Sequence, residues 1–155
     1  MRIITETDNN LKEPEIILRF PDGSEDASRL QQKIQEAIAG QRKICVRDDG
    51  VDTYLTPLEI LFLETSDNKV IVHTRSHIYQ STLHLYQLEE MLPHFFLRIS
   101  KSSIVNTKNI RSIQRNLTGA SELNFDGTNK KTFVSRNYYK ALIEVMEIRR
   151  NIMEV

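Results

Sequence analysis

Tryptophan is absent from these 155 residues, cysteine occurs once and glycine only five times. The single thiol, Cys45, cannot close an internal disulfide, and without a second cysteine it cannot begin a cysteine-based zinc site. Its setting, KICVR, reads as a strand, so Cys45 is expected to be a buried structural thiol rather than a reactive one. The glycines fall in no GxxxxGKS/T or GxGxxG pattern, and no GxSxG elbow accompanies the serines, so those phosphate loops and that hydrolase nucleophile are excluded. No apolar run approaches the roughly 20 residues that span a bilayer, and MRIITETDNN lacks the apolar stretch of a signal peptide. A cytoplasmic address is the expectation. Aromatics amount to 7% and never gather on one strand face, which weakens base-stacking readout of single-stranded nucleic acid.

Acid is also missing from one long stretch. Residues 91–121 contain no Asp or Glu, yet hold Arg98, Lys101, Lys108, Arg111 and Arg115. The net charge of zero hides this segregation: residues 1–67 carry 14 acids against 8 bases, residues 91–140 carry 2 against 9. A basic region of that kind is either a plain solvated surface or the footprint of a polyanion. On the second reading, most bases neutralise backbone phosphate. Only a residue held on a protruding loop, such as Arg136, Lys101 or Asn68, could reach base edges.

With 39% hydrophobic and 27% charged residues, the chain is neither disordered nor membrane-like in composition, and its length suits one domain with a small extension. RIITET and EIILRF read as short strands, PDG as a turn, and a helix is expected from Ser24 to the stop at Gly40, with Leu30, Ile34, Ala37 and Ile38 on one face. The period then changes to two. ICVR and VDTYL flank the turn Asp48-Asp49-Gly50, EILFLET follows Thr56-Pro57, and VIVHT and HIYQS lie either side of Arg75-Ser76, which together imply a β-meander. A helix capped by Ser81 or Thr82 lines up Leu85, Leu88, Met91 and Leu92 before Pro93 ends it. Next come a strand over residues 96–100, an irregular passage from Lys101 to Thr107, and a strand over 109–114. SELNF and KKTFV form a hairpin, and a closing helix from Arg136 buries Tyr138, Leu142, Val145 and Met146.

Catalytic chemistry finds little to build on. His73 and His77 stand apart from any HExxH, CxxC or carboxylate cluster and read as packing or surface residues; Asp48 and Asp49 read as turn residues. No cofactor, metal or catalytic residue is expected.

FLRISKSSIVNTKNIRSI, preceded by LHLYQLEEMLP and followed by KKTFVSRNYYKAL, resembles the LytTR-type DNA-binding domain of bacterial transcription regulators. The resemblance rests on the Leu-rich helix ending in Pro93, Phe96 with Arg98, the Ser-x-Ile-Val-Asn string from Ser102 to Asn106, Ile110, and Val134-Ser135-Arg136 leading into a helix. It covers residues 44–150. It implies a mostly β, α+β overall fold of several sheets with short helices, in which loops enter successive major grooves of double-stranded DNA. Carried over by position, those loops present Asn68 with Lys69, Lys101 with Ser102, and Arg136 with Asn137. Arg136, Lys101 and Asn68 would contact bases. Lys69, Ser102, Lys108, Arg111, Arg115, Lys130, Lys131 and Asn137 would meet the backbone or brace the loops. Ile104, Val105 and Ile110 would be core and Asn106 a loop brace. The family often has His where Asn68 and Ser100 stand, which implies either a changed base preference or a one-residue shift in the alignment.

Many relatives carry a receiver domain upstream, where this chain has only a strand–helix extension over residues 1–42 ahead of a DNA-binding domain over 43–155. Control by a partner, sometimes a membrane protein, or by homodimerisation is therefore expected in place of aspartyl phosphorylation. An RNA-binding β module and a protein-interaction module acting through the acidic N-terminal half are the rival readings.

Overall fold

The computed structural model describes residues 6–11, 15–20, 26–39 and 42–153, and the chain divides into two compact units, Met1–Ile34 and Gln35–Val155. Most of RIITET, the PDG turn, the helix start at Ser24 and the stop at Gly40 lie outside the described residues. Residues 15–20, expected as a strand, have no ladder partner among the described residues and are irregular. A β-rich run becomes a strand only when a neighbour completes its hydrogen bonds. The expected helix forms as α1 (Asp26–Ala39).

The larger unit is built on a seven-stranded antiparallel sheet in the order β2-β1-β5-β4-β3-β7-β6. Its strands are β1 (Ile44–Asp48), β2 (Val51–Leu55), β3 (Phe62–Ser66), β4 (Lys69–His73), β5 (Ile78–Ser81), β6 (Phe96–Ser100) and β7 (Ser103–Asn106). The hairpin β1–β2 turns at Asp49 and Gly50 with φ of 45° and 80°, and β3–β4 turns at Asp67 and Asn68 with φ of 50° and 61°. Both are two-residue turns in the left-handed region, where the strand twist favours Asn, Asp and Gly. Thr56 and Pro57 do not lead straight into a strand. Pro57–Glu59 forms a 3-10 turn, closed by Glu59 Oε2 accepting from Thr56 N–H at 2.7 Å and from its hydroxyl at 2.8 Å, so β3 begins only at Phe62.

The passage expected to be irregular between Lys101 and Thr107 is mostly strand. Only Lys101 and Ser102 turn, and β7 follows with all four residues buried. Wrapped between β3 and β6, it shows none of the polar alternation by which a half-exposed strand is read from sequence.

Cys45 is exposed, correcting the expectation of a buried thiol. In β1 the side chains alternate, and Ile44 and Val46 take the inward face, leaving Cys45 on the other. Helix α2 (Leu85–Met91) starts at His84, whose N–H donates to Gln87 Oε1 at 2.9 Å, rather than at Ser81 or Thr82. Leu85, Leu88 and Leu92 are buried, whereas Met91, expected on the same face, is 55% exposed.

A second, three-stranded sheet has the order β10-β9-β8, from β8 (Ile110–Gln114), β9 (Ser121–Phe125) and β10 (Lys131–Val134), and the chain closes with α3 (Arg136–Met153). Alternation along β3 and β7 splits the interior in two. Leu63 and Ile104 face a core shared with Val46, Val72 and α2's Leu88, while Phe62 and Val105 face one shared with Ile99, Leu123, Phe125 and α3's Leu142. Each fully buried Leu, Ile or Phe contributes roughly 1.5–3 kcal/mol against an exposed state. This central wall therefore anchors the turns that it carries.

Candidate nucleic-acid interface

Three connections are drawn to one end of the large sheet. The β3–β4 turn carries Asn68 and leads into Lys69; the β6–β7 turn carries Lys101 and Ser102; the β10–α3 junction carries Ser135, Arg136 and Asn137. Thr65 N–H donates to Ser102 O at 2.8 Å, tying the first two together. Ser135 N–H donates to Ile99 O at 2.9 Å, tying the third to the strand that feeds the second. Asn68, Lys69, Lys101, Ser102, Arg136 and Asn137 are all exposed. Among the described residues, no ion pair engages Lys69, Lys101 or Arg136. The residues singled out from the sequence as base contacts are thus assembled on one surface.

Asn68 has a second reason to be there, because its φ of 61° suits an Asn better than a branched residue. Asp67 shares the turn and offers the one acidic side chain within it. Asn106 is fully buried and braces the strand behind the surface. Its Nδ2 donates to Pro57 O at 3.2 Å and Ile60 O at 2.9 Å, and its Oδ1 accepts from Lys108 N–H at 3.0 Å. Ile104, Val105 and Ile110 are core, as expected.

The other bases are distributed differently. Arg115, at the end of β8, lays its guanidinium over the Tyr139 ring at 5.6 Å and so stands beside the first turn of α3. Lys131 pairs with Glu122 at 2.9 Å, holding that carboxylate below its usual range by hydrogen bonding. Arg111 lies 4.0 Å from Asp126, and the Lys108 ammonium sits 4.5 Å from the Phe95 ring centre. Lys130 belongs to the opposite end of the sheet, where its ammonium donates to Thr74 O at 2.8 Å and His77 O at 2.7 Å. Burial pulls its pKa down. Around it, Arg75 Nε donates to Asp126 O at 3.2 Å and Thr128 Oγ1 to Arg75 O at 3.1 Å, clamping the β9–β10 hairpin to the β4–β5 turn.

Arg98 is not the unneutralised base that its acid-free stretch suggested. Glu89, on α2, clasps it, and the pairing raises the guanidinium pKa. Sequence reasoning missed this partner because Pro93 and a change of element separate the two. His73 is a packing residue, stacked on Phe62 with ring centres 4.1 Å apart and bonded to Glu64 at 2.9 Å. Burial lowers its pKa, outweighing the opposing pull of Glu64. Among the described residues, no group of three or more His, Cys, Asp or Glu could hold a metal ion, and no helix is long and apolar enough to cross a membrane.

A β-rich module presenting basic and amide side chains from clustered turns has the chemistry of a surface for a polyanion, and it presents them without a recognition helix. Residues 53–147 match the LytTr DNA-binding domain family, and the chain belongs to it. It is 32% identical over 116 residues to the sensory transduction protein LytT of Bacillus subtilis, an alignment covering 74% of this chain and 47% of that one. It is 31% identical over 90 residues to an HTH-type transcriptional regulator of Staphylococcus aureus, covering 58% and 60%. The chain thus spans about half to three fifths of these relatives' lengths. The fold resembles the LytTr DNA-binding domain of a methyl-accepting/DNA response regulator from Bacillus cereus, with a TM-score of 0.60 at 22% identity over 67% of this chain and 98% of the other. Among the described residues, α2 and α3 are separated by five strands, so they form no helix-turn-helix pair.

Proposed function

We propose that this chain is a cytoplasmic transcription regulator that binds double-stranded DNA sequence-specifically, with the two tight turns and the β10–α3 junction entering the major groove. The observation that carries the reading is the pair of backbone hydrogen bonds, Thr65 to Ser102 and Ser135 to Ile99, that gathers Asn68, Lys101 and Arg136 at one end of the sheet. Arg136 reads a base, with guanine as the natural bidentate partner, and Lys101 and Asn68 follow. Ser102 and Asn137 support these contacts. Lys69 and Arg115 neutralise phosphate, together with the positive end of α3. Lys108, Arg111 and Lys131 contribute charge at longer range, while Lys130 serves the fold.

Arg136→Ala is expected to cost about 1–3 kcal/mol on the preferred duplex and to relax preference at one base pair. Lys69→Ala is expected to weaken all duplexes alike. Competition titrations with single-base-pair variants of a duplex selected from random DNA decide this; uniform loss in both mutants refutes the Arg136 assignment. Tighter binding to single-stranded RNA than to duplex would favour the RNA-binding alternative.

Residues 1–42 form a dimerisation or partner-docking extension to the DNA-binding domain of residues 43–155. The supporting observation is that Ile16 and Ile17 are each 62% exposed and that residues 15–20 have no ladder partner among the described residues. A homodimer on DNA would couple two half-sites through effective concentration, and a membrane protein is the alternative regulatory partner. Sedimentation of the full chain with and without duplex tests the homodimer; a strictly monomeric chain in both conditions refutes it.

A further inference from the structure

The turn bearing Lys101 and Ser102 is held by a side chain from outside it. Arg98, in β6, uses Nη2 and Nε to clasp Glu89 of α2, with Nη2 to Oε2 at 2.5 Å and Nε to Oε2 and Oε1 at 3.1 and 3.2 Å. Its remaining nitrogen, Nη1, donates to Lys101 O at 2.8 Å. A planar guanidinium supplies donors in two directions with a fixed angle between them, which the ammonium of a lysine, on its flexible stem, does not.

The next residue is irregular. Arg98 pairs with Ile104 and Ser100 with Ser103, so Ile99 is extra, a bulge in the ladder. The Ile99 carbonyl accepts from Ser135 N–H at 2.9 Å, directly before Arg136. Bulges re-aim neighbouring side chains. Consecutive residues of one strand therefore fasten the two turns that carry Lys101 and Arg136.

We propose that Arg98, locked by Glu89, is a positioning residue for duplex reading, which fixes the Lys101 turn so that Lys101 and Arg136 keep a constant spacing. The inference rests on the function proposed above. A reading group must be held within about 0.5 Å of its productive place, and a turn that wanders loses affinity to ordering when it binds. Arg98 itself donates all three of its guanidinium nitrogens within the protein, so its role is placement and not phosphate neutralisation.

The test uses the full chain and two variants, Arg98→Lys and the exchanged pair Glu89→Arg with Arg98→Glu. The exchange restores an ion pair between α2 and β6 but puts an acceptor where Lys101 O needs a donor. Three quantities are measured: the urea midpoint, the ratio of affinities for a selected duplex and a random one, and the slope of affinity against salt. Amide hydrogen exchange at Lys101 and Ser102 is followed without DNA. Both variants are expected to lose about tenfold in the affinity ratio, the size of one modest base contact. Their salt slopes are expected to match that of the parent, and their turn amides to exchange faster. If the exchanged pair does not fold, Arg98→Lys decides alone. A parent that discriminates among duplexes beside an Arg98→Lys chain that discriminates equally, with unchanged turn exchange, refutes this inference alone. A parent without any preference among duplexes refutes the proposed function and this inference with it.

Discussion

Replacing Lys130 by methionine keeps an unbranched side chain and removes the ammonium that donates to Thr74 O at 2.8 Å and His77 O at 2.7 Å. The two acceptors are not equally dependent on it. His77 O also receives the Thr74 N–H at 3.1 Å and the Thr74 hydroxyl at 3.2 Å, so it stays satisfied. Thr74, itself buried, loses the donor to its carbonyl. A hydrogen bond from a charged donor contributes about 1.5–3 kcal/mol, but Lys130 is only partly buried and water can replace some of that. The expected loss is about 1–2 kcal/mol, or a fall of roughly 2–8 °C in Tm for a chain of this size. Urea unfolding followed by circular dichroism measures the first, and anisotropy of a labelled selected duplex across a salt series measures binding. The slope of log affinity against log salt is expected to stay constant, because a phosphate contact would contribute about 0.9 to it. Unchanged stability together with a slope shallower by about 0.9 refutes the reasoning and returns Lys130 to the phosphate-binding group.

Duplex binding by the parent chain is expected to weaken steeply between low and moderate salt, and a nearly flat titration refutes a phosphate-gripping surface. Asn106→Ala removes the buried amide's bonds to Pro57 O, Ile60 O and Lys108 N–H and leaves a small cavity, at a cost of about 2–4 kcal/mol in urea unfolding; a loss below about 1 kcal/mol contradicts the brace. His73 has a lowered folded pKa, so it adds stability that is complete above its unfolded value of about 6.5 and is lost as pH falls through the folded value. Unfolding midpoints measured from pH 7 to 5 are expected to decline in the parent and to flatten in His73→Gln. Equal decline in both refutes that role for His73.

Much of this architecture is legible in the sequence because turns announce themselves chemically. Asp49-Gly50 and Asp126-Gly127 mark hairpins, and Pro93 marks the end of α2, since each residue type answers a local backbone demand. What depends on a neighbour is not legible. Residues 103–106 are a strand because β3 and β6 flank them, and residues 15–20 are not one, having no ladder partner among the described residues. Cys45 could have been placed outward from the alternation of Ile44 and Val46. The surface at Asn68, Lys101 and Arg136 was legible from motif order. The fates of Arg98 and Lys130 were not, because the charge of one is met nine residues upstream across a proline, and that of the other by carbonyls more than fifty residues upstream.

The brevity of the two tight turns proposed to read DNA bears on how such a protein can diverge. Each has two residues, and the bond from Thr65 to Ser102 holds them side by side. An added residue in either turn would slip the register of a strand whose alternate side chains serve both cores, so lengthening is closed off as a route to a new target site. Exchanging letters at fixed length remains open, because Asn68, Lys101 and Arg136 are exposed, with position 68 restricted to residue types that tolerate a φ of 61°. Relatives that recognise different operators are thus expected to keep these turn lengths and differ in the residues at their tips. A small alphabet at three positions would then carry most of the diversity.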